Sequence, residues 1–91
     1  MAKLLYGVTA YFRHRVLQQR PYIRLEWCEQ AVQRPAYKET QPDGRIRYWI
    51  YVEELAKYLR VIMLADGETL HNAFPDRNFN LDLTHAIRVL S

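Results

Sequence analysis

From residue 37 to residue 76 apolar and polar side chains alternate, and two Asp-Gly pairs interrupt the alternation. Asp43-Gly44 separates residues 37–42 from 45–53, and Asp66-Gly67 separates 58–65 from 68–75. Asp-Gly between β-prone runs favours a two-residue turn whose positive φ angles suit the twist of the flanking strands. Two consecutive hairpins are therefore predicted. With residue 65 opposite 68, Val61 faces Asn72, Ile62 faces His71 and Leu59 faces Phe74. A tight link over 54–57 closes the middle pair and sets Tyr51 opposite Arg60 and Trp49 opposite Ile62.

That register predicts two unlike faces. One carries Ile46, Tyr48, Ile50, Val52, Leu59, Val61, Met63, Leu70 and Phe74, with Asn72 as its polar exception. The other carries Arg45, Arg47, Trp49, Tyr51, Arg60, Thr69 and His71, with Ile62 and Leu64 among them. The first has the composition of a core and the second that of a basic, aromatic surface.

Upstream, Leu25, Cys28, Ala31 and Val32 recur at helical spacing while Glu26, Glu29, Gln30 and Gln33 fill the other side, which predicts the main helix over 24–34. Pro35 ends it. Residues 4–18 read either as a helix with an apolar stripe of Leu4, Leu5, Val8, Tyr11 and Phe12, or as an extended arm near 11–16. Pro21 stops any helix before it. Tyr22 and Trp27 read as packing around the start of the main helix. In the tail, Leu83, Ile87 and Leu90 suggest a short terminal helix. The expected fold is α+β: one domain over 1–91, with one main helix covering the apolar face of a three- to four-stranded antiparallel meander and a short C-terminal element. The opposite sheet face is expected to stay exposed in the monomer.

Composition adds limits. Cys28 is the single cysteine, which excludes an internal disulfide and suits a reducing compartment. Lys3, Gly7 and Arg13 interrupt the N-terminal apolar residues, so neither a signal peptide nor a membrane span is expected, and the location is read as cytoplasmic. The net charge of +3 is unevenly placed: residues 1–25 hold Lys3, Arg13, Arg15, Arg20 and Arg24 and no acid. Such a patch suits a polyanion or an acidic partner, or is a solvated segment whose acids lie nearby in space.

The outer face holds the parts of an RNA site. Arg45, Arg47 and Arg60 offer guanidinium forks for phosphate oxygens. Trp49 and Tyr51 offer rings on which unpaired bases stack, or they are covered by the tail or a partner. His71 is the side chain there whose ordinary pKa permits proton transfer near neutrality. Arg77 either steers the RNA backbone from the rim or pairs with Asp76 or the tail. His14, His71, His85 and Cys28 show no metal-ligand spacing, and with three glycines there is no phosphate-binding loop, so neither metal nor cofactor is expected. Cys28 on the apolar helix face reads as a core residue. Whether His14 joins the site depends on the path of the N-terminal arm.

The segments Phe12-Arg13-His14, Arg20-Pro21-Tyr22-Ile23, Asp43-Gly44-Arg45-Ile46-Arg47-Tyr48-Trp49, Lys57-Tyr58-Leu59-Arg60-Val61 and the run from His71 to Phe79 together resemble a group of short bacterial proteins, frequent in cyanobacteria, associated with the RelE/ParE/BrnT-like toxin superfamily. The resemblance covers about residues 11–79. It implies a small helix-plus-antiparallel-sheet fold and a toxin paired with a small antitoxin. RelE-like members cleave RNA, often on the ribosome, and ParE-like members inhibit DNA gyrase. RelE-like sites use basic and aromatic side chains on the exposed sheet face and the C-terminal region, places occupied here by Arg45, Arg47, Arg60, His71 and Arg77. The chain departs from that pattern in lacking long paired N-terminal helices and in having only three lysines.

The expected function is a metal-independent endoribonuclease for single-stranded RNA. His71 would be general acid or base, Arg60 and Arg47 would stabilise phosphate charge, Trp49 and Tyr51 would position a base, and Arg45 and Arg77 would steer the backbone. The antitoxin would cover the same face. The alternatives are a non-catalytic module or homodimer using that face for protein, and a nucleic-acid-binding protein without chemistry.

Overall fold

The computed structural model describes residues 5–81. Two helices pack on one face of a five-stranded mixed sheet of order β1-β5-β4-β3-β2. The strands are β1 (Gly7–Val8), β2 (Tyr37–Thr40), β3 (Ile46–Val52), β4 (Lys57–Met63) and β5 (Thr69–Asp76). Helix α1 (Ala10–Phe12) runs on into a wider π-helical segment, Arg13–Gln18, and α2 spans Leu25–Gln33. The anticipated terminal helix around residues 83–90 lies outside the described residues.

Helix α2 forms where the spacing placed it. Glu26 sits in its first turn, where the helix dipole favours an acid. It buries Trp27, Cys28 and Ala31. Burial, followed by the neighbouring Glu29 charge, pushes the Cys28 thiol up to about 12, so it is a protonated core side chain at neutral pH. Tyr22, expected to pack beside the helix, is instead exposed.

The N-terminal segment settles as a helix, not an arm, and buries Phe12 and Val16 completely. The Thr9 side chain caps it by accepting from the Phe12 N–H at 3.0 Å. Before the cap the chain adds an unforeseen strand: Gly7 and Val8 pair in parallel with Thr69 and Leu70. The sheet is therefore mixed and five-stranded, where a purely antiparallel meander of three or four strands was expected. Pairing between segments some sixty residues apart leaves no local signature in the sequence.

Both hairpins form, but not on the expected two-residue turns: the Gly44 N–H bonds the Gln41 carbonyl and the Gly67 N–H the Leu64 carbonyl, and only the glycines, at φ +90° and φ +70°, take positive φ while Asp43 and Asp66 do not. The β3–β4 register differs by two residues from the expected one, so that Trp49 pairs with Arg60 and Tyr51 with Tyr58. The cause is the link: Glu53–Leu55 form a single 3-10 turn closed by Ala56 in the left-handed region at φ 52°. A shift of two preserves the faces.

The β4–β5 pair begins in the expected register, Met63 opposite Leu70, but an extra residue enters at His71. From there Ile62 faces Asn72, Val61 faces Ala73 and Arg60 faces Phe74. This bulge removes the polar exception. Asn72 in the core would have been a buried amide with few partners. Displaced by one residue, Ala73 fills the core position and is fully buried, while Phe74 crosses to the outer face beside Arg60.

Candidate functional site

The outer face is neither open nor uniformly basic. Trp49, Arg60 and Phe74 occupy directly paired positions on β3, β4 and β5. The Arg60 guanidinium carbon lies 4.8 Å from the Phe74 centroid and 5.7 Å from that of Trp49. Asp76 binds both neighbours: its Oδ2 accepts from the Trp49 indole N–H at 3.1 Å and lies 3.3 Å from Arg60 Nε. Phe79, beyond β5, stacks on Trp49 with centroids 4.6 Å apart and also touches Tyr58 and Tyr37. Trp49 is 4% exposed as a result. Of the dispositions open for Trp49, coverage by the tail, through Phe79, is the one found.

Arg47 is likewise engaged, with its Nη1 3.0 Å from Glu39 Oε1 on the neighbouring edge strand. The cations expected to stabilise phosphate charge thus both face carboxylates of the chain itself. Tyr51 remains half exposed, edge-on to Tyr58.

His71 stands apart from Arg60. Arg60 pairs with Phe74, three residues further along β5, or roughly 10 Å at the rise of a strand. The bulge and the end of β1 give His71 other neighbours. Its Nδ1 is 3.1 Å from Thr9 Oγ1, the capping atom, and its ring stacks on Tyr11 with centroids 5.1 Å apart. Tyr11 is 44% exposed, and the Arg15 guanidinium carbon lies 5.9 Å from its ring. Partial burial, followed by the Arg45 charge, holds the His71 pKa below its ordinary value of 6.5. At neutral pH the ring is uncharged. Thr9 Oγ1 already accepts from Phe12, and its second lone pair suits an Nδ1–H donor; in that tautomer Nε2 is the basic atom.

Arg45 shares its charge with Asp43, 3.8 Å away. His14 bonds Gln19 on the exposed side of the π-helical segment. Arg77 is exposed and belongs to the other end of β5, where it lines a recess with Arg20, Tyr22, Lys57 and Phe74. The structure therefore brings Arg45 into the electrostatic reach of His71, and divides Arg47, Arg60 with Trp49, and Arg77 among three other places. The residues missed from the sequence are Thr9 and Tyr11 beside His71, Arg15 over the Tyr11 ring, and Arg20, Tyr22 and Lys57 beside Arg77. For Arg15 and Arg20 the acid-free stretch at the front of the chain was the available signal; Lys57 had none.

Among the described residues no helix is long and apolar enough to cross a membrane, and no three of His, Cys, Asp and Glu gather in one place. No family model, curated protein or solved structure matches the chain.

Proposed function

We propose that the chain is a toxin-like endoribonuclease that cleaves single-stranded RNA without a metal ion, as the toxin of a toxin–antitoxin pair. The observation that carries this reading is the His71 ring, stacked on exposed Tyr11 and anchored through Nδ1 to Thr9, with its pKa held below the ordinary value by burial and Arg45. His71 Nε2 takes the proton of a 2′-hydroxyl, whose oxygen attacks the adjacent phosphorus. The bond to the 5′-oxygen breaks, that oxygen leaves with a proton from solvent, and a 2′,3′-cyclic phosphate remains. Arg45, whose charge reaches His71, supplies positive charge in place of Arg47 and Arg60, and Tyr11, with Arg15 over its ring, offers the ring for a base.

The test is incubation of the purified protein with end-labelled single-stranded RNA in the presence of a chelator. Discrete products with cyclic phosphate ends are expected, and His71→Ala should lower their rate by at least about a hundredfold. Induced expression of the wild type should arrest growth of a bacterial host, and the same substitution should relieve the arrest. Intact RNA in the presence of folded wild-type protein would sink the proposal.

The rival reading, a protein-binding module, draws support from one place. Half-exposed Tyr51 borders a groove of about 480 Å³ between α2 and β3, lined also by Gln30, Gln33, Arg34 and Ile50. A partner docking there would be released by Tyr51→Ala and unaffected by His71→Ala.

A further inference from the structure

Past its pairing with β1, the far end of β5 borders a recess of about 480 Å³ whose walls include Arg20, Tyr22, Lys57, Phe74 and Arg77. We propose that this recess binds a nucleotide through a terminal phosphate, with the phosphate on the three cations and the base against Tyr22.

The first ground is charge. Arg20 precedes α2, Lys57 opens β4 and Arg77 follows β5, so folding alone brings the three together. Among the described residues no carboxylate lines the recess. Among the described residues none of the three makes an ion pair, and Asp76, next to Arg77 in the chain, is committed to Trp49 and Arg60. Gathering like charges without a counter-charge opposes folding, and an anion at their centre reverses that cost.

The second ground is preorganisation. Arg20 Nη1 donates to Asn72 Oδ1 at 3.1 Å and to the Ala73 carbonyl at 2.9 Å, and its guanidinium carbon lies 6.0 Å from the Phe74 centroid. These partners are uncharged, so they fix the fork in place and leave its positive charge intact. A guanidinium has five N–H donors, and the remaining ones are available to phosphate oxygens. The bulge at His71 matters here too, since it turns Asn72 outward to meet Arg20.

The third ground is the aromatic wall. Tyr22 is 53% exposed, a large ring left to solvent beside the cations. A phosphate group beside a free ring matches a nucleotide better than an inorganic anion. Three cations also match a phosphate monoester, which is close to doubly charged at neutral pH, better than a singly charged diester. The monoester comes from a free nucleotide or from the end of an RNA chain. As a site for a chain end the recess rests on the proposed function; as a site for a free nucleotide it stands without it.

Titration calorimetry at low salt with AMP, adenosine and inorganic phosphate tests the proposal. AMP should bind at least about tenfold more tightly than either of the others, and Lys57→Ala and Arg77→Ala should each weaken it about tenfold while the circular dichroism spectrum is unchanged. Tyr22→Ala should weaken AMP and leave phosphate unaffected. Equal affinity for AMP and adenosine, equal affinity for AMP and phosphate, or wild-type binding by both cation variants would overturn it. A 5′-phosphorylated tetranucleotide binding more tightly than AMP identifies an RNA end as the source, and equal binding identifies the free nucleotide. His71→Ala should bind AMP as the wild type does, so loss of cleavage and loss of this site are read separately.

Discussion

Trp49 and Phe79 lie ring on ring, 4.6 Å apart and 13° from parallel, and this stack closes the outer face of the sheet. The face that reads as a surface in the sequence is in part a second, smaller core, built from Tyr37, Trp49, Tyr58 and Phe79 around the Arg60–Asp76 pair.

Removing the cover should therefore show in Trp49. Phe79→Ala is expected to cost about 2 kcal/mol, combining lost apolar burial with lost ring contacts. Its tryptophan emission should move to longer wavelength, while Trp27, on the other side of the sheet, keeps its burial. Urea denaturation followed by fluorescence measures both, and an unshifted native spectrum would mean that Phe79 is not what shields Trp49.

Asp76 is the acceptor on which this small core depends. Asp76→Ala leaves the indole N–H of Trp49 and the largely covered Arg60 without their partner, and should cost about 2–3 kcal/mol. Asp76→Asn, which keeps an acceptor, should cost about half as much. A double-mutant cycle with Arg60→Ala should return a coupling of about 1 kcal/mol or more; additive losses would show that the pair does not interact.

His71 makes stability depend on pH in a defined direction. Its pKa is lower in the folded protein than the ordinary 6.5, through burial and then Arg45, so the unfolded chain binds the proton more readily. The stability held above about pH 6.5 is lost as the pH falls through the interval down to the folded-state value. His71→Asn should flatten the melting temperature across that interval. For the proposed cleavage, activity should survive to a lower pH than an unperturbed histidine base would permit. A wild-type melting temperature that rises on acidification from pH 7 to 5.5, with the rise abolished in the variant, would reverse the assignment.

The two turn glycines should respond differently to substitution. A β-carbon at Gly44 would sit 3.0 Å from Ala65 Cβ as well as adopting φ +90°, whereas at Gly67 nothing among the described residues lies within 4 Å. Gly67→Asn, a residue that tolerates positive φ, should be nearly neutral, while Gly44→Asn should lose about 1–2 kcal/mol. Thermal melts of the two variants are sufficient to compare them.

Much of the architecture was legible because its causes are local. The positions of the Asp-Gly turns, the apolar spacing of Leu25, Cys28 and Ala31, and the alternation along β3 and β4 each act over a few residues and appear in the fold, though the turns are longer than the two residues expected. The separation of Ile50 from Tyr51, or Val61 from Arg60, follows from the period of a strand alone. The candidate site was less legible. Arg45, Arg47, Arg60 and His71 carry suitable chemistry, but whether a charge is available depends on what stands opposite, and Glu39 and Asp76 occupy those places for Arg47 and Arg60.

By itself, then, the sequence determined where the chain turns, which helix forms at 25–33, and which side chains of β3 and β4 share a face. Tertiary structure alone decided the parallel strand at Gly7–Val8, the bulge at His71, the burial of Trp49 beneath Phe79 and the gathering of Arg20, Lys57 and Arg77. The physical reason is distance along the chain. Turn and periodicity preferences are set by neighbouring residues, whereas a bulge, a cover or a cluster of like charges is settled by contacts between distant segments, where burying Ala73 in place of Asn72 outweighs a regular ladder.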